Sequence, residues 1–116
     1  MQNLGTASSL IDQIHLGFEI DCLGSMDVLI KKEIDGEYKT IGGIKAPAVR
    51  MIDGEIVLTG QGSILTGKPR IETGDKLKLL AGLGHYIQIE CEVSLASLHF
   101  RSDGQSFYGS IYLTDY

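Results

Sequence analysis

The segment His85-Tyr-Ile-Gln-Ile-Glu-Cys-Glu-Val-Ser-Leu95 decides the fold class of this chain. Its side chains alternate, and the alternation predicts an inward set of His85, Ile87, Ile89, Cys91, Val93 and Leu95, with the intervening residues outward. A period of two residues is that of a β-strand with one buried face. At Leu98 and Phe100 the apolar set moves to even positions, which predicts a bulge or bend near Ala96 and Ser97.

The same period occurs elsewhere in the chain. Apolar residues at alternate positions predict further strands through Phe18, Ile20 and Cys22, through Met26, Val28 and Ile30, and through Phe107, Ile111 and Leu113. The last of these strands is expected to lie beside the segment 85–95. Residues 1–16 are expected to form a short helix or an arm, because Leu10, Ile11 and Ile14 have helical spacing.

The connections between the strands are predicted to be tight turns. The dipeptide Asp-Gly occurs at 35–36, 53–54 and 103–104, and it supplies the positive φ angles that a type I′ turn requires. Such turns between apolar runs indicate consecutive antiparallel hairpins. The sequence therefore predicts one all-β, mainly antiparallel domain over residues 1–116, which forms a sandwich or a partly closed barrel of about seven or eight strands.

Composition and charge exclude several classes of protein. The chain is 43% hydrophobic and 22% charged, values typical of a globular domain rather than a disordered segment. No apolar stretch reaches the roughly 20 residues of a membrane helix, and residues 1–16 lack the pattern of a secretory signal. We therefore expect a soluble protein that is synthesised in the cytoplasm and has no membrane partner.

No pattern in the sequence predicts catalysis, a metal or a cofactor. Glu90 and Glu92 share one strand face, but this spacing is also typical of a solvated strand. His85 and Cys91 are six residues apart on one strand, about 20 Å, which is too far for one ion to bind both, so with His99 they do not predict a metal site. Gly60-Gln-Gly62 lacks the remaining residues of a phosphate-binding loop. A buried thiol is the expectation for Cys22 and Cys91, with a disulfide between them as the alternative.

A partner surface is predicted in the middle of the chain. Residues 60–67, with three glycines and no sustained period, are interpreted as a mobile loop that contacts a partner. Basic residues lie around it in the sequence, namely Lys45, Arg50, Lys68 and Arg70, and Gly60, Gln61 and Gly62 are taken as loop contacts. Nucleic acid is a less favoured partner, because the net charge is −5 and no aromatic residue occurs between Tyr38 and Tyr86.

Two stretches resemble known proteins. Ile71-Glu-Thr-Gly-Asp-Lys-Leu-Lys-Leu79 resembles a Gly-Asp hairpin box of small β-barrels. Asp27-Val-Leu-Ile-Lys-Lys32, Tyr38-Lys-Thr-Ile-Gly-Gly-Ile44 and Glu55-Ile-Val-Leu-Thr59 together resemble the opening hairpins of tail-tube proteins of long-tailed bacteriophages. This resemblance implies a sandwich-like core, assembly into stacked hexameric rings and a location in the virion.

The leading hypothesis is therefore a non-enzymatic structural protein that forms homo-oligomers, with the basic middle of one copy against acidic surfaces of the next. The first alternative is a small acidic protein-binding module, such as an immunity protein or an enzyme inhibitor. Its surface would be made by Glu90, Glu92, Tyr108, Tyr112 and Tyr116, since tyrosines with acidic neighbours suit a basic partner. The second alternative is a small β-barrel nucleic-acid binder.

Overall fold

The computed structural model describes residues 26–82, 84 and 87–115. These residues form six strands: β1 (Val28–Ile34), β2 (Glu37–Ile52), β3 (Glu55–Ile64), β4 (Lys76–Ala81), β5 (Ile87–Phe100) and β6 (Ser106–Asp115). Every strand pair is antiparallel, and the described part contains no α-helix. The all-β prediction is confirmed. The predicted helix or arm at 1–16 and the strand at 18–22 lie outside the described residues.

The six strands close into a ring in the order β1-β2-β3-β6-β5-β4, a barrel in its hydrogen-bond connectivity. Hairpins join β1 to β2, β2 to β3 and β5 to β6, and the ring closes where β1 pairs with β4 from Val28 opposite Ala81 to Lys32 opposite Leu77. Each strand pairs with a neighbour on both sides over at least part of its length. β2 pairs with β1 only as far as Ile44, and β5 pairs with β4 only as far as Glu92.

The interior is filled by the inward-facing residues of all six strands. Its largest fully buried side chains are Phe107, Ile30, Ile41, Ile44, Leu58, Leu77, Leu79, Ile89, Ile111 and Leu113. The predicted alternation is confirmed for the odd positions from Ile87 to Val93, all of which are buried. Cys91 is among them, and its thiol donates a hydrogen bond to the carbonyl of Leu77 at 3.8 Å.

The predicted inward position of Leu95 is wrong, because the register of β5 shifts earlier than expected. The shift lies between Val93 and Leu95, so Leu95 is 50% exposed. Ser94 is the extra residue of this bulge. Its hydroxyl donates to the Glu55 carboxylate at 2.5 Å, with the Tyr112 carbonyl oxygen as the alternative acceptor at 3.2 Å. After the bulge Leu98 and Phe100 pack against the core, as predicted.

The Asp-Gly turns form the predicted hairpins, with one difference. Asp35 and Asp53 have φ angles of 53° and 50°, and each is followed by a glycine at positive φ, as a type I′ turn requires. Asp103 does not have positive φ, although Gly104 does. Its carboxylate instead accepts the N–H groups of Gln105 and Ser106, both at 2.8 Å.

The interpretation of residues 60–67 as a mobile loop is wrong for residues 60–64, because β3 continues through Ile64. Residues 65–67 follow the strand and include a turn. Of the glycines in this segment, Gly62 occurs where backbones approach closely. A Cβ atom on Gly62 would lie 2.2 Å from the carbonyl oxygen of Gly43 and 2.8 Å from the Phe107 ring. Glycine is therefore required at position 62 by packing inside a curved strand. The glycine-rich composition of residues 60–67 does not distinguish this role from that of glycine in a loop.

Candidate binding face

Four adjacent strands, β2, β3, β6 and β5, present one outer face whose members are fixed by cross-strand register. Four rows cross these strands: Arg50-Val57-Tyr112-Leu95, Ala48-Thr59-Ser110-Ser97, Lys45-Gln61-Tyr108-His99 and Gly43-Ser63-Ser106-Arg101. The register of β2 against β3 shifts between Lys45 and Ala48, and the rows on both sides of this shift keep the same strand order. These sixteen residues are called the acid-free face.

The acid-free face differs in charge from the rest of the chain. It carries Lys45, Arg50 and Arg101 and no carboxylate, whereas the whole chain has 15 acidic residues and a net charge of −5. Carboxylates lie only at its borders: Glu55 precedes Val57 on β3 and Glu92 lies opposite Thr114. The formal charge of this face is therefore positive, opposite in sign to that of the whole chain.

Aromatic side chains stand among these cations. Tyr108 is 51% exposed, and its ring stacks on that of His99 with centroids 5.1 Å apart and planes at 23°. The guanidinium carbon of Arg101 lies 5.8 Å from the centroid of the Tyr108 ring. The face thus combines cations with an exposed aromatic ring, a pairing used in the recognition of both proteins and nucleic acids.

A groove of about 670 Å³ runs along the edge of the face that is formed by the row Gly43-Ser63-Ser106-Arg101. Its base follows the row of small residues Gly43, Ser63 and Ser106, from Leu29 on β1 to Arg101 after β5. Lys45 and Gln61 form one wall, Thr40 and Leu65 line the other side, and Asp27 lies at the β1 end. The groove therefore has a cationic wall and, at Leu65, an apolar one.

Several polar groups of the groove have no partner within the part of the chain that the structure describes. Lys45, Gln61 and Ser63 make no side-chain hydrogen bond or ion pair to another described residue, and the one ion pair found among those residues joins Lys32 to Asp75 at 3.0 Å. Exposed polar groups are satisfied by water in the absence of a ligand. They are available for contacts with a charged segment.

The structure brings together some of the residues that the sequence predicted as a site. Lys45, Arg50, Gln61, Tyr108 and Tyr112 share the acid-free face. The sequence prediction assigned them to two separate surfaces. Their proximity depends on the pairing of β3 with β6, which the sequence alone does not indicate.

The other predicted residues lie elsewhere. Gly62 faces the interior, as its approach to Phe107 shows, and Gly60 is half-buried within β3. Lys68 is exposed on the segment between β3 and β4. Glu90 and Glu92 lie opposite Lys78 and Lys76 of β4, which balance their charge. Lys78 also lies over the ring of Tyr38, at 4.7 Å from its centroid, away from the face.

Arg70 has a structural role at one end of the ring. Its guanidinium lies 3.6 Å from the centroid of the Phe100 ring and donates to the Gly104 carbonyl at 3.2 Å. Lys32 donates to the Arg70 carbonyl at 3.2 Å. The contacts of the Arg70 guanidinium hold the β3–β4 segment to the β5–β6 turn. Further along the β3–β4 segment, Gly74 has a φ of 92° in the Gly-Asp turn before β4.

Residues that the sequence analysis did not select complete the face. They are His99 and Arg101 on the outer side of β5, and Ser63 and Ser106 in the groove. The move of the apolar set to Leu98 and Phe100 already places positions 99 and 101 outward. His99 was considered only as a metal ligand and Arg101 was not assigned to a surface, so this signal was not used.

Within the described residues, no group of three His, Cys, Asp or Glu side chains is arranged to hold a metal ion. His99 is exposed and stacked on Tyr108, while His85, Tyr86, Tyr116 and Cys22 lie outside the described residues. No helix within the described ranges is long and apolar enough to cross a membrane. Comparison with known proteins finds no matching family model, curated protein or solved structure.

Proposed function

We propose that this protein is a non-enzymatic assembly protein whose acid-free face binds the acidic surface of another copy. The observation that carries the proposal is the absence of carboxylates from sixteen adjacent outer positions in a chain with 15 acidic residues. All 15 acidic residues occupy other positions of the same chain, so each copy offers both halves of a complementary contact. Such a contact is heterologous, and repetition closes a ring or extends a filament.

Burial supports the same choice of surface. Tyr108 and Leu95 are about half exposed, with 51% and 50% of their surface accessible, and Leu95 lies opposite Tyr112. Tyrosine and arginine are enriched in the energetically important centres of protein interfaces. The face thus contains apolar area to bury as well as charge to orient a partner.

The resemblance to tail-tube proteins favours one particular form of this proposal, in which the protein is a virion component that forms tail-tube-like rings. In that form the protein acts in the virus particle, and copies contact each other through the acid-free face within or between rings. Electron microscopy of the concentrated protein would show rings or tubes. A field of uniform small particles at the same concentration would contradict ring formation.

The test of the contact surface is sedimentation velocity over a series of protein and salt concentrations. We expect association that weakens with added salt, because the contact joins opposite charges. Arg50→Glu should abolish association, while Lys39→Glu, an equal charge change at an exposed β2 position outside the face, should retain most of it. A wild-type chain that stays monomeric throughout would refute the assembly proposal.

A second candidate function, binding of single-stranded nucleic acid, is favoured by one observation. The exposed Tyr108 ring lies opposite Gln61, which separates it from Lys45 in the same row, and the guanidinium carbon of Arg101 is 5.8 Å from its centroid. An aromatic ring therefore accompanies the cations. Bases stack on such rings while cations contact phosphate. Fluorescence anisotropy with a labelled oligonucleotide would support this function if binding falls steeply with salt and with Tyr108→Ala. Absence of binding at low salt would exclude it.

A further inference from the structure

We infer that the β1–β2 hairpin of one copy docks its tip in the groove of the next copy. The hairpin tip consists of the turn residues Asp35 and Gly36 and the first residue of β2, Glu37. The inference rests on the proposed function and deepens it, because it names the part of the partner's acidic surface that the groove binds.

The first argument is that this hairpin projects from the ring. β1 pairs with β4 only as far as Lys32, and β2 pairs with β3 only from Gly42 onward. Between these positions and the turn, the two strands pair with each other and with no other described strand. Apart from its chain neighbours, nothing lies within 4 Å of the Cβ position of Gly36. The hairpin tip is therefore open to a partner.

The second argument is that the hairpin tip carries carboxylates with no partner in the described part of the chain. Asp35 and Glu37 are exposed, and neither side chain forms an ion pair or a hydrogen bond with a described residue. The Asp53-Gly54 turn is also followed by a glutamate, but the Ser94 hydroxyl donates to the carboxylate of Glu55. Other described carboxylates have a hydrogen-bond donor or a lysine of the same chain beside or opposite them, namely Asp75, Glu90, Glu92 and Asp103.

The third argument is the distance between the hairpin tip and the groove of its own chain. β2 runs from one to the other as a continuous strand, and the six steps from Glu37 to Gly43 span about 20 Å at roughly 3.3 Å each. The hairpin tip can therefore reach only the groove of another copy. Such a contact is heterologous, so it repeats from copy to copy.

The fourth argument is the chemistry of the groove. Lys45, Gln61 and Ser63 are exposed in it and can each donate a hydrogen bond to a carboxylate. A hydrogen bond from a lysine to a carboxylate is charge-assisted and stronger than one between neutral groups. The one carboxylate that lines the groove, Asp27, lies at its β1 end. From β1 to β6 the groove crosses three strand spacings, about 14 Å, whereas the hairpin is one spacing wide.

The test is rescue of association by a charge swap, followed by sedimentation velocity at concentrations at which the wild-type chain associates. Lys45→Glu and Glu37→Lys should each weaken association about tenfold or more, because like charges then face each other across the contact. The double variant Lys45→Glu/Glu37→Lys should regain association, because the opposite charges are restored with their places exchanged. The matched control is Lys45→Glu/Glu72→Lys, which has the same net charge and changes an exposed residue of the β3–β4 segment instead.

Recovery with Glu37→Lys and not with Glu72→Lys is the expected result. Equal association of the two double variants would overturn the inference. A wild-type chain that stays monomeric would refute the proposed function together with the inference. A wild-type chain whose association is lost with Arg50→Glu but unchanged with Glu37→Lys would refute the inference alone.

Discussion

At the scale of single residues, two glycines of β3 make a matched test of close packing. A Cβ atom at Gly62 would meet backbone and ring atoms at 2.2 and 2.8 Å, whereas at Gly60 its nearest contacts are ordinary, at 3.5 and 3.6 Å. We expect Gly62→Ala to lower the free energy of unfolding by about 1–3 kcal/mol or more. Gly60→Ala should be neutral or slightly stabilising, because glycine in a strand costs about 0.5–1 kcal/mol relative to alanine. Urea denaturation measures both; equal losses would contradict the packing described for Gly62.

The Asp103 carboxyl group is the described group whose titration the structure most clearly alters. The Ser106 hydroxyl, which donates to it at 2.6 Å, and the N–H groups of Gln105 and Ser106 hold the pKa of Asp103 below its ordinary value of 3.8. This contribution to stability is therefore present at neutral pH and is lost as pH falls through the lowered pKa. Ser106→Ala should raise the pKa of Asp103 in an NMR titration. An unchanged pKa would show that the hydroxyl does not stabilise the carboxylate.

At the scale of elements, the β2–β3 turn isolates the conformational demand of a type I′ hairpin. Gly54 has a φ of 79° and nothing near its Cβ position, so a side chain there meets only backbone strain. Gly54→Ala should cost about 1–2 kcal/mol, and Asp53→Asn should be nearly neutral because Asn-Gly also favours this turn. Thermal unfolding compares the two variants. A neutral Gly54→Ala would mean that the turn adopts another conformation.

The strands show which features of the fold can be predicted from the sequence. Alternation identifies β5 and β6 because each has one buried and one solvated face, and Asp-Gly identifies the β1–β2 and β2–β3 turns. The second half of β3 was missed because its glycines were taken as signs of a loop, whereas Gly62 meets the need of close strand approach and Gly60 lies within the strand. A bulge shifts register by one residue, so the misplaced bulge of β5 put Leu95 on the wrong face. His99 and Arg101 already alternate with Leu98 and Phe100 in the sequence, and they were not selected as partner residues.

At the scale of the whole molecule, closure of the ring has a measurable consequence. Ile30 of β1 lies opposite Leu79 of β4, so neither strand is an edge. Their amide groups should exchange with solvent as slowly as those of β3 and β6, through global unfolding. Hydrogen exchange followed by NMR measures this. Rapid exchange confined to β1 and β4 would show that the ring is open in solution.

Closure also explains why the candidate site could not be predicted as one surface. The strand order places β6 between β3 and β5, and this order puts Tyr108 in the same cross-strand row as Lys45 and Gln61. Local patterns report burial and turns, but they carry no information on which distant strands pair. The residues of the site were therefore partly predicted, and their arrangement was not.

Contact between copies through the acid-free face is tested by a dilution series of labelled wild-type protein, with backbone chemical shifts recorded at each concentration. We predict concentration-dependent shifts at Arg50, Lys45 and Tyr108, together with shifts at acidic positions outside the face. Shifts confined to β1 and β4, or none up to millimolar concentration, would contradict it.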